Sequence, residues 1–176
     1  MRIVYFVHAT TVDNELGLAT GWNDVELSEK GYRQAEDLCG IVKDRFDVVI
    51  ASDLRRAQET ARIAFAPLKP LADCRLREID YGDLAGQPSA AVKQDLLRYV
   101  EEPFPGGESY EGVRLRIADL LDDMRQNHVG SRVALVAHQA PQLALDVILY
   151  GKSWEEAFRD DWRNLKAWQP GWEHAI

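Results

Sequence analysis

Two rhythms alternate along this chain: short runs in which nearly every residue is apolar, and longer segments in which apolar residues return every three or four positions. The runs are Ile3 to Val7, Asp47 to Ala51 and Arg132 to Ala137. A strand without a polar face suits a parallel sheet covered on both sides, because neither face meets water. The helical rhythm predicts a helix from Ser28 to about Arg45 bearing Tyr32, Ala35, Leu38, Cys39 and Val42. A second helix, capped by Ser52 or Asp53, carries Arg55, Arg56 and Thr60. Ser89 to Glu101 reads as a third. A long amphipathic helix opens at Glu108, with Val113, Ile117, Leu120, Leu121 and Met124 on its core face. Another runs from Gln142 to Tyr150, with Pro141 near its start and Gly151 closing it. The last is capped by Ser153 with Glu156 and presents Phe158, Trp162 and Leu165 before Pro170-Gly171 ends it.

Between these lie a polar connection, Val12 to Glu26, and a connector, Pro67 to Asp73. A short strand at Cys74 to Leu76, a loop through Gly82 and Gly86, and a firm break at Pro103-Phe104-Pro105-Gly106-Gly107 follow. Strands alternating with helices, without repeats or linkers, predict a three-layer α/β/α sandwich with a mostly parallel central sheet, residues 1–176 forming a single domain. Trp168 and Trp172 read as packing at the core edge.

Composition narrows the classes. The formal charge of -8 argues against a nucleic-acid surface, which needs clustered Lys and Arg. Cys39 and Cys74 are too few for a disulfide framework. No basic leader precedes the first strand, and no apolar stretch approaches the roughly 18 residues that span a bilayer. The expectation is a cytoplasmic protein with no membrane partner.

Of the four histidines, His8 and His138 fall at the ends of apolar strands, whereas His128 and His174 read as solvated. Ligands in parallel sheets bind beyond the carboxyl ends of the strands, where Arg56 also lies at the start of its helix. Two imidazoles and a guanidinium converging there suit phosphoryl transfer. A neutral imidazole attacks phosphorus, while cationic and imidazole donors hold the oxygens. Glu78, in a loop, is the candidate to protonate the leaving oxygen.

Several blocks, in order over residues 3 to 150, resemble the histidine phosphatase superfamily, also called phosphoglycerate mutase-like. They are the first strand with His8, Asn14 and Thr20-Gly21-Trp22; Leu27, Ser28, Gly31 and Gln34-Ala35; Ser52-Asp53-Leu54-Arg55-Arg56-Ala57; Leu76-Arg77-Glu78-Ile79-Asp80-Tyr81-Gly82; Pro105-Gly106-Gly107-Glu108-Ser109; and Val136-Ala137-His138. The resemblance implies a phosphorylated nucleophile at His8, phosphate ligands at Arg56 and His138, and a general acid at Glu78. Thr10, Asn14, Thr20, Gly21 and Gln139 would be accessory phosphate or substrate contacts. It implies a small phosphorylated substrate, no cofactor and no metal, although His8, Asp13 and His138 are residue types that could hold one.

The chain departs from the family's Arg-His-Gly block, reading Val7-His8-Ala9, and has Gln139 where a glycine follows the second histidine. One phosphate-clamping arginine is thus absent. Thr10, Thr11, Gln139 or another arginine, Arg77 being nearest in a motif, would have to replace it. Two readings follow: a phosphatase hydrolysing a phosphomonoester through phospho-His8, or a catalytically weakened descendant that binds an anion or a protein partner. A mutase ranks below the phosphatase, since the family's mutases carry extra segments over the site. The C-terminal tryptophans make a homodimer surface conceivable.

Overall fold

The computed structural model describes residues 1–42 and 46–175. Its centre is a five-stranded sheet in the order β3-β2-β4-β1-β5. The strands are β1 (Arg2–Val7), β2 (Val48–Ser52), β3 (Leu71–Asp73), β4 (Arg132–Ala137) and β5 (Trp172–Ala175). The first four pair in parallel, and β5 runs antiparallel along β1. Alternate strand residues feed two cores. Ile3, Tyr5, Ile50, Val133 and Leu135 pack with α5 (Tyr110–Asn127), α6 (Gln139–Tyr150) and α7 (Trp154–Arg159). Val4, Phe6, Val49, Ala134 and Val136 pack on the other face, against α3 (Arg55–Ala64) and Leu38 of α2 (Glu29–Ile41). The three-layer arrangement is therefore present, and Phe6, Phe46 and Phe65 meet edge-on within the second core.

Most elements stand where the apolar rhythm puts them, and the differences have local causes. Within the polar connection, Thr11 caps α1 (Val12–Leu16) in a capping box with Asn14. The expected extension of α2 to Arg45 lies outside the described residues. Neither Ser52 nor Asp53 caps α3; its N-cap is Leu54, and Asp24 accepts from the Arg55 amide at 2.7 Å. The strand expected at Cys74 to Leu76 is a 3-10 turn capped by Asp73, and β3 lies just before it, inside the expected connector. Ser89 to Glu101 is not one helix but α4 (Ser89–Val92) and a 3-10 turn (Leu96–Tyr99), with Val92 buried in the core and Lys93 tied to Gln139 between them. The last helix also divides: Asp161 caps a separate α8 (Trp162–Leu165). Helix α6 begins at Gln139 and holds Pro141 in its first turn, where no intrahelical N–H is lost. Strand β5 has no counterpart in the sequence pattern. It buries His174, which is 6% exposed and meets the Tyr150 hydroxyl at 2.8 Å, contrary to the solvated position expected.

Two glycines set distances near the sheet's carboxyl end. A Cβ on Gly31 would stand 1.9 Å from the Thr10 carbonyl oxygen, so glycine lets α2 press against the chain leaving β1. A Cβ on Gly107 would stand 2.3 Å from the Asp80 carbonyl oxygen, so the Pro105-Gly106-Gly107 stretch packs directly on the segment after Glu78. Among the described residues no helix is long and apolar enough to cross a membrane.

Candidate active site

Strand register brings the two imidazoles together. Val7 lies opposite Ala137, so the next residues, His8 and His138, leave the sheet side by side. The His8 amide donates to the Ala137 carbonyl at 3.0 Å, and the ring centroids are 4.9 Å apart. Tyr5, fully buried in β1, fastens the end of β4: its hydroxyl donates to the His138 carbonyl at 2.7 Å and accepts from the His138 amide at 3.1 Å.

His8 Nδ1 stands 2.7 Å from the carbonyl of Ala9. A carbonyl only accepts, so Nδ1 carries the hydrogen and the lone pair is on Nε2. Burial, helped by the Arg56 charge, pushes the pKa of His8 down to about 3 against the pull of the Ala9 hydrogen bond. The ring is neutral at pH 7. Burial, followed by the charges of Arg56 and His8, also holds His138 well below its ordinary value. Neither ring nitrogen of His138, itself fully buried, has a hydrogen-bond partner among the described residues.

Arg56 occupies the first turn of α3 and is 2% exposed. Its Nη1 donates to the Asn23 carbonyl at 2.9 Å and its Nη2 to the Gly21 carbonyl at 2.7 Å. Gly21 thus anchors the guanidinium through its backbone. Thr20 donates to Asp13 at 3.1 Å and, like Gly21, is not in the cavity wall. Glu78 is drawn to the start of α6: Oε1 accepts from the amides of Ile79 at 3.0 Å and Ala140 at 2.9 Å, and Oε2 accepts from the Gln139 amide at 3.1 Å. Trp22 fixes the same residue by donating to its carbonyl at 2.7 Å.

A cavity of about 620 Å³ opens beside this group, with Val7, His8, Thr10, Asn14, Glu78 and Gln139 in its wall; the buried Arg56 and His138 do not line it. Asn14 also keeps its side chain in the capping box of α1. Ala9 is no strain in place of glycine, since Lys166 is the only non-glycine residue with positive φ among the described residues. The Ala9 amide donates to Thr60 at 3.0 Å. Arg77 is not in the cavity wall: it forks onto Asp53 at 2.8 and 2.6 Å and lies over Trp22. Among the described residues no three His, Cys, Asp or Glu side chains are placed to hold a metal ion, Asp13 included.

The far wall holds residues the sequence did not single out for chemistry: Lys93, Trp162, Arg163, Trp168 and Trp172. No motif marks Lys93 or Arg163. By sequence pattern the three tryptophans are helix-face or core-edge packing.

The family model of the histidine phosphatase superfamily, branch 1, matches residues 4–171. Phosphoserine phosphatase 1 of Hydrogenobacter thermophilus is 33% identical over 162 residues, which cover 86% of this chain and 77% of that protein. A 2,3-bisphosphoglycerate-dependent phosphoglycerate mutase of Mesorhizobium japonicum is 33% identical over 172 residues, covering 88% and 84%. The fold superposes on a mycobacterial glucosyl-3-phosphoglycerate phosphatase with a TM-score of 0.76 at 29% identity, covering 89% of this chain and 82% of that one. Strand register, paired imidazoles and a family match spanning nearly the whole length agree, and the chain belongs to branch 1 of the histidine phosphatase superfamily.

Proposed function

We propose that the protein hydrolyses a phosphomonoester through a phosphohistidine on His8, without a metal. The observation that carries this reading is the His8 tautomer: Nδ1–H is tied to the Ala9 carbonyl, and a neutral Nε2 lone pair is left for a phosphorus atom. Nε2 forms a bond to phosphorus while the bond from phosphorus to the alcohol oxygen breaks. The positive charge that develops on the ring is held through Nδ1–H at Ala9. Oε1 of Glu78 already accepts two N–H groups and Oε2 only one, so Oε2 has room for the proton delivered to the departing oxygen. Water then attacks the phosphohistidine and returns its proton to Glu78. The phosphorus–nitrogen bond breaks and His8 regains its neutral form. His138, whose ring nitrogens lack partners, and the remaining N–H groups of Arg56 would take the phosphoryl oxygens. Thr10, Asn14 and Gln139 border the same space.

Relatives include both a phosphoserine phosphatase and a phosphoglycerate mutase. We favour hydrolysis, and transfer between phosphoglycerates faster than hydrolysis would overturn that choice. A binding-only protein has one observation in its favour: apolar Val7 lines the cavity beside His8. The free, exposed Cys39 and Cys74 fit a reducing, cytoplasmic setting.

The test is release of nitrophenol from p-nitrophenyl phosphate in the presence of a chelator, together with trapping of a base-stable, acid-labile phosphoenzyme. Wild type is expected to turn over and to accumulate label. His8→Ala is expected to lose both, with the rate falling at least a thousandfold. Activity persisting in His8→Ala overturns the mechanism, and tight phosphate binding with no label from pH 4 to 9 establishes the binding-only reading.

A further inference from the structure

Among the described residues one arginine lines the cavity, Arg163, and it comes from the C-terminal part of the chain. Arg163 stands in α8, where its Nη1 donates to Asp161 Oδ1 at 2.9 Å and to Gln142 Oε1 at 3.4 Å. Its Cζ lies 4.3 Å from the centre of the Trp162 ring. Gln142 is itself fixed by the Trp162 indole N–H at 3.1 Å, and it belongs to the first turn of α6, the helix that His138 caps. The guanidinium is therefore docked on the start of α6, and it borders the same cavity as His8. Its Nε and Nη2 make no hydrogen bond to the described residues.

We propose that Arg163 is a phosphoryl-binding cation, supplied by the C-terminal segment to a site where β1 offers only Val7. This rests on the phosphatase reading above. Arg56 spends two of its N–H donors on backbone carbonyls, and a phosphomonoester dianion needs further charge-assisted donors. A planar guanidinium with an open edge can grip two phosphoryl oxygens, which an ammonium cannot. The cavity's other cation, Lys93, is tied by its Nζ to Gln139 Oε1. Gln139 Nε2 in turn donates to Asp161 Oδ2, opposite the oxygen that holds Arg163. Asp161, whose side chain is 2% exposed, thus receives Gln139 on one oxygen and Arg163 on the other. Gln139 and Asp161 are positioning residues for the arginine. The charge of Arg163 also acts on His8 and His138, as that of Arg56 does.

Orthovanadate, which has no leaving group, separates a phosphoryl ligand from a leaving-group contact. Its dissociation constant, and kcat/KM for p-nitrophenyl phosphate, are measured for wild type, Arg163→Gln, Arg163→Lys, Arg163→Gln with Val7→Arg, and Arg159→Gln, an exposed arginine of the same segment. Glutamine keeps a donor for Asp161 but not the charge. Arg163→Gln is expected to bind vanadate about 10- to 100-fold more weakly, the worth of one charge-assisted hydrogen bond. The rate should fall by at least that factor, Val7→Arg should restore part of both, and Arg159→Gln should match wild type. Vanadate affinity unchanged in Arg163→Gln overturns the proposal, even if turnover falls. Should that variant fail to fold by circular dichroism, Arg163→Lys decides. It retains a cation for Asp161 but not the two-pronged grip, and wild-type vanadate affinity in it overturns the proposal. If instead wild type and His8→Ala turn over alike, the phosphohistidine reading fails while the vanadate series still reports on Arg163.

Discussion

Replacing Tyr5 by phenylalanine removes one oxygen atom and tests how the two strands hold the imidazoles in register. The hydroxyl donates to the His138 carbonyl at 2.7 Å and accepts from its amide at 3.1 Å, and both residues are 0% exposed. Burial holds the phenol far above its ordinary pKa, so it remains a donor across the usable pH range. Without it the His138 N–H is stranded in a dry interior, costing roughly 1 to 3 kcal/mol, and the carbonyl loses one acceptor contact, net about 0.5 to 1.5 kcal/mol. The sum is about 1.5 to 4.5 kcal/mol, which for a chain of 176 residues lowers Tm by roughly 3 to 18 °C. Thermal and urea unfolding followed by circular dichroism measure it. Tyr32→Phe is the internal control, since that hydroxyl donates to Glu59 from a residue 38% exposed. It should cost less than about 1 kcal/mol. A loss below about 0.5 kcal/mol in Tyr5→Phe would show that the clasp holds nothing, and the account of how β1 and β4 fix the imidazole pair would fall with it.

Two further predictions concern protons. The pKa of His8 is lowered from 6.5 to about 3 and that of His138 is lowered too, so the unfolded chain binds more protons than the folded one below about pH 6.5. Their contribution to stability is complete above that pH and is lost as pH falls toward the folded values, at up to about 1.4 kcal/mol per pH unit for each group. Urea midpoints should drop between pH 7.5 and 4.5, and the His8→Ala variant should show a shallower fall; parallel curves would refute it. Glu78→Gln removes the proposed proton donor and sets an amide NH2 against the backbone donors at the start of α6. Here kcat/KM for alkyl phosphates should fall about 100- to 10,000-fold and that for aryl phosphates with good leaving groups much less. Equal losses for both would remove Glu78 from the leaving-group step.

The parts of this molecule that are legible in its sequence are those where one physical demand dominates. The apolar runs ending in His8 and His138 have to be buried strands, and parallel pairing then carries both histidines to one end of the sheet. Arg56 can be placed because it stands a few residues beyond a strand end. The rest depends on tertiary partners. Tyr5 reads as one more apolar residue, since its clasp on His138 spans 133 positions of sequence. Trp172 to Ala175 lacks any strand rhythm and becomes a strand because β1 offers an unpaired edge. Lys93 and Arg163 sit in segments expected to be ordinary helices, and only the break after Val92 and the cap at Asp161 turn them toward the cavity. Arg77, adjacent to Glu78 in sequence, is drawn instead to Asp53.

A phosphate-binding cation at position 163 rather than on β1, as proposed, changes what the site depends on. Val7, on the strand, packs against the main core and is held by the sheet whatever the rest of the chain does. Arg163 is held by Asp161, Gln142 and the Trp162 ring, on a four-residue helix that owes its place to the C-terminal residues beyond it. That continuation is specific. Trp172 pairs with Tyr5 across the sheet edge and stacks on Trp162 with ring centres 5.3 Å apart. A Cβ on Gly171 would stand 2.8 Å from Val4, so the chain approaches β1 as closely as a backbone can. One strand therefore ends at His8, the proposed nucleophile, clasps the second imidazole through Tyr5, and docks the segment that brings Arg163. Pairing of β5 with β1 becomes a condition for a complete phosphate site, and loosening that edge should weaken anion binding before it unfolds the sheet.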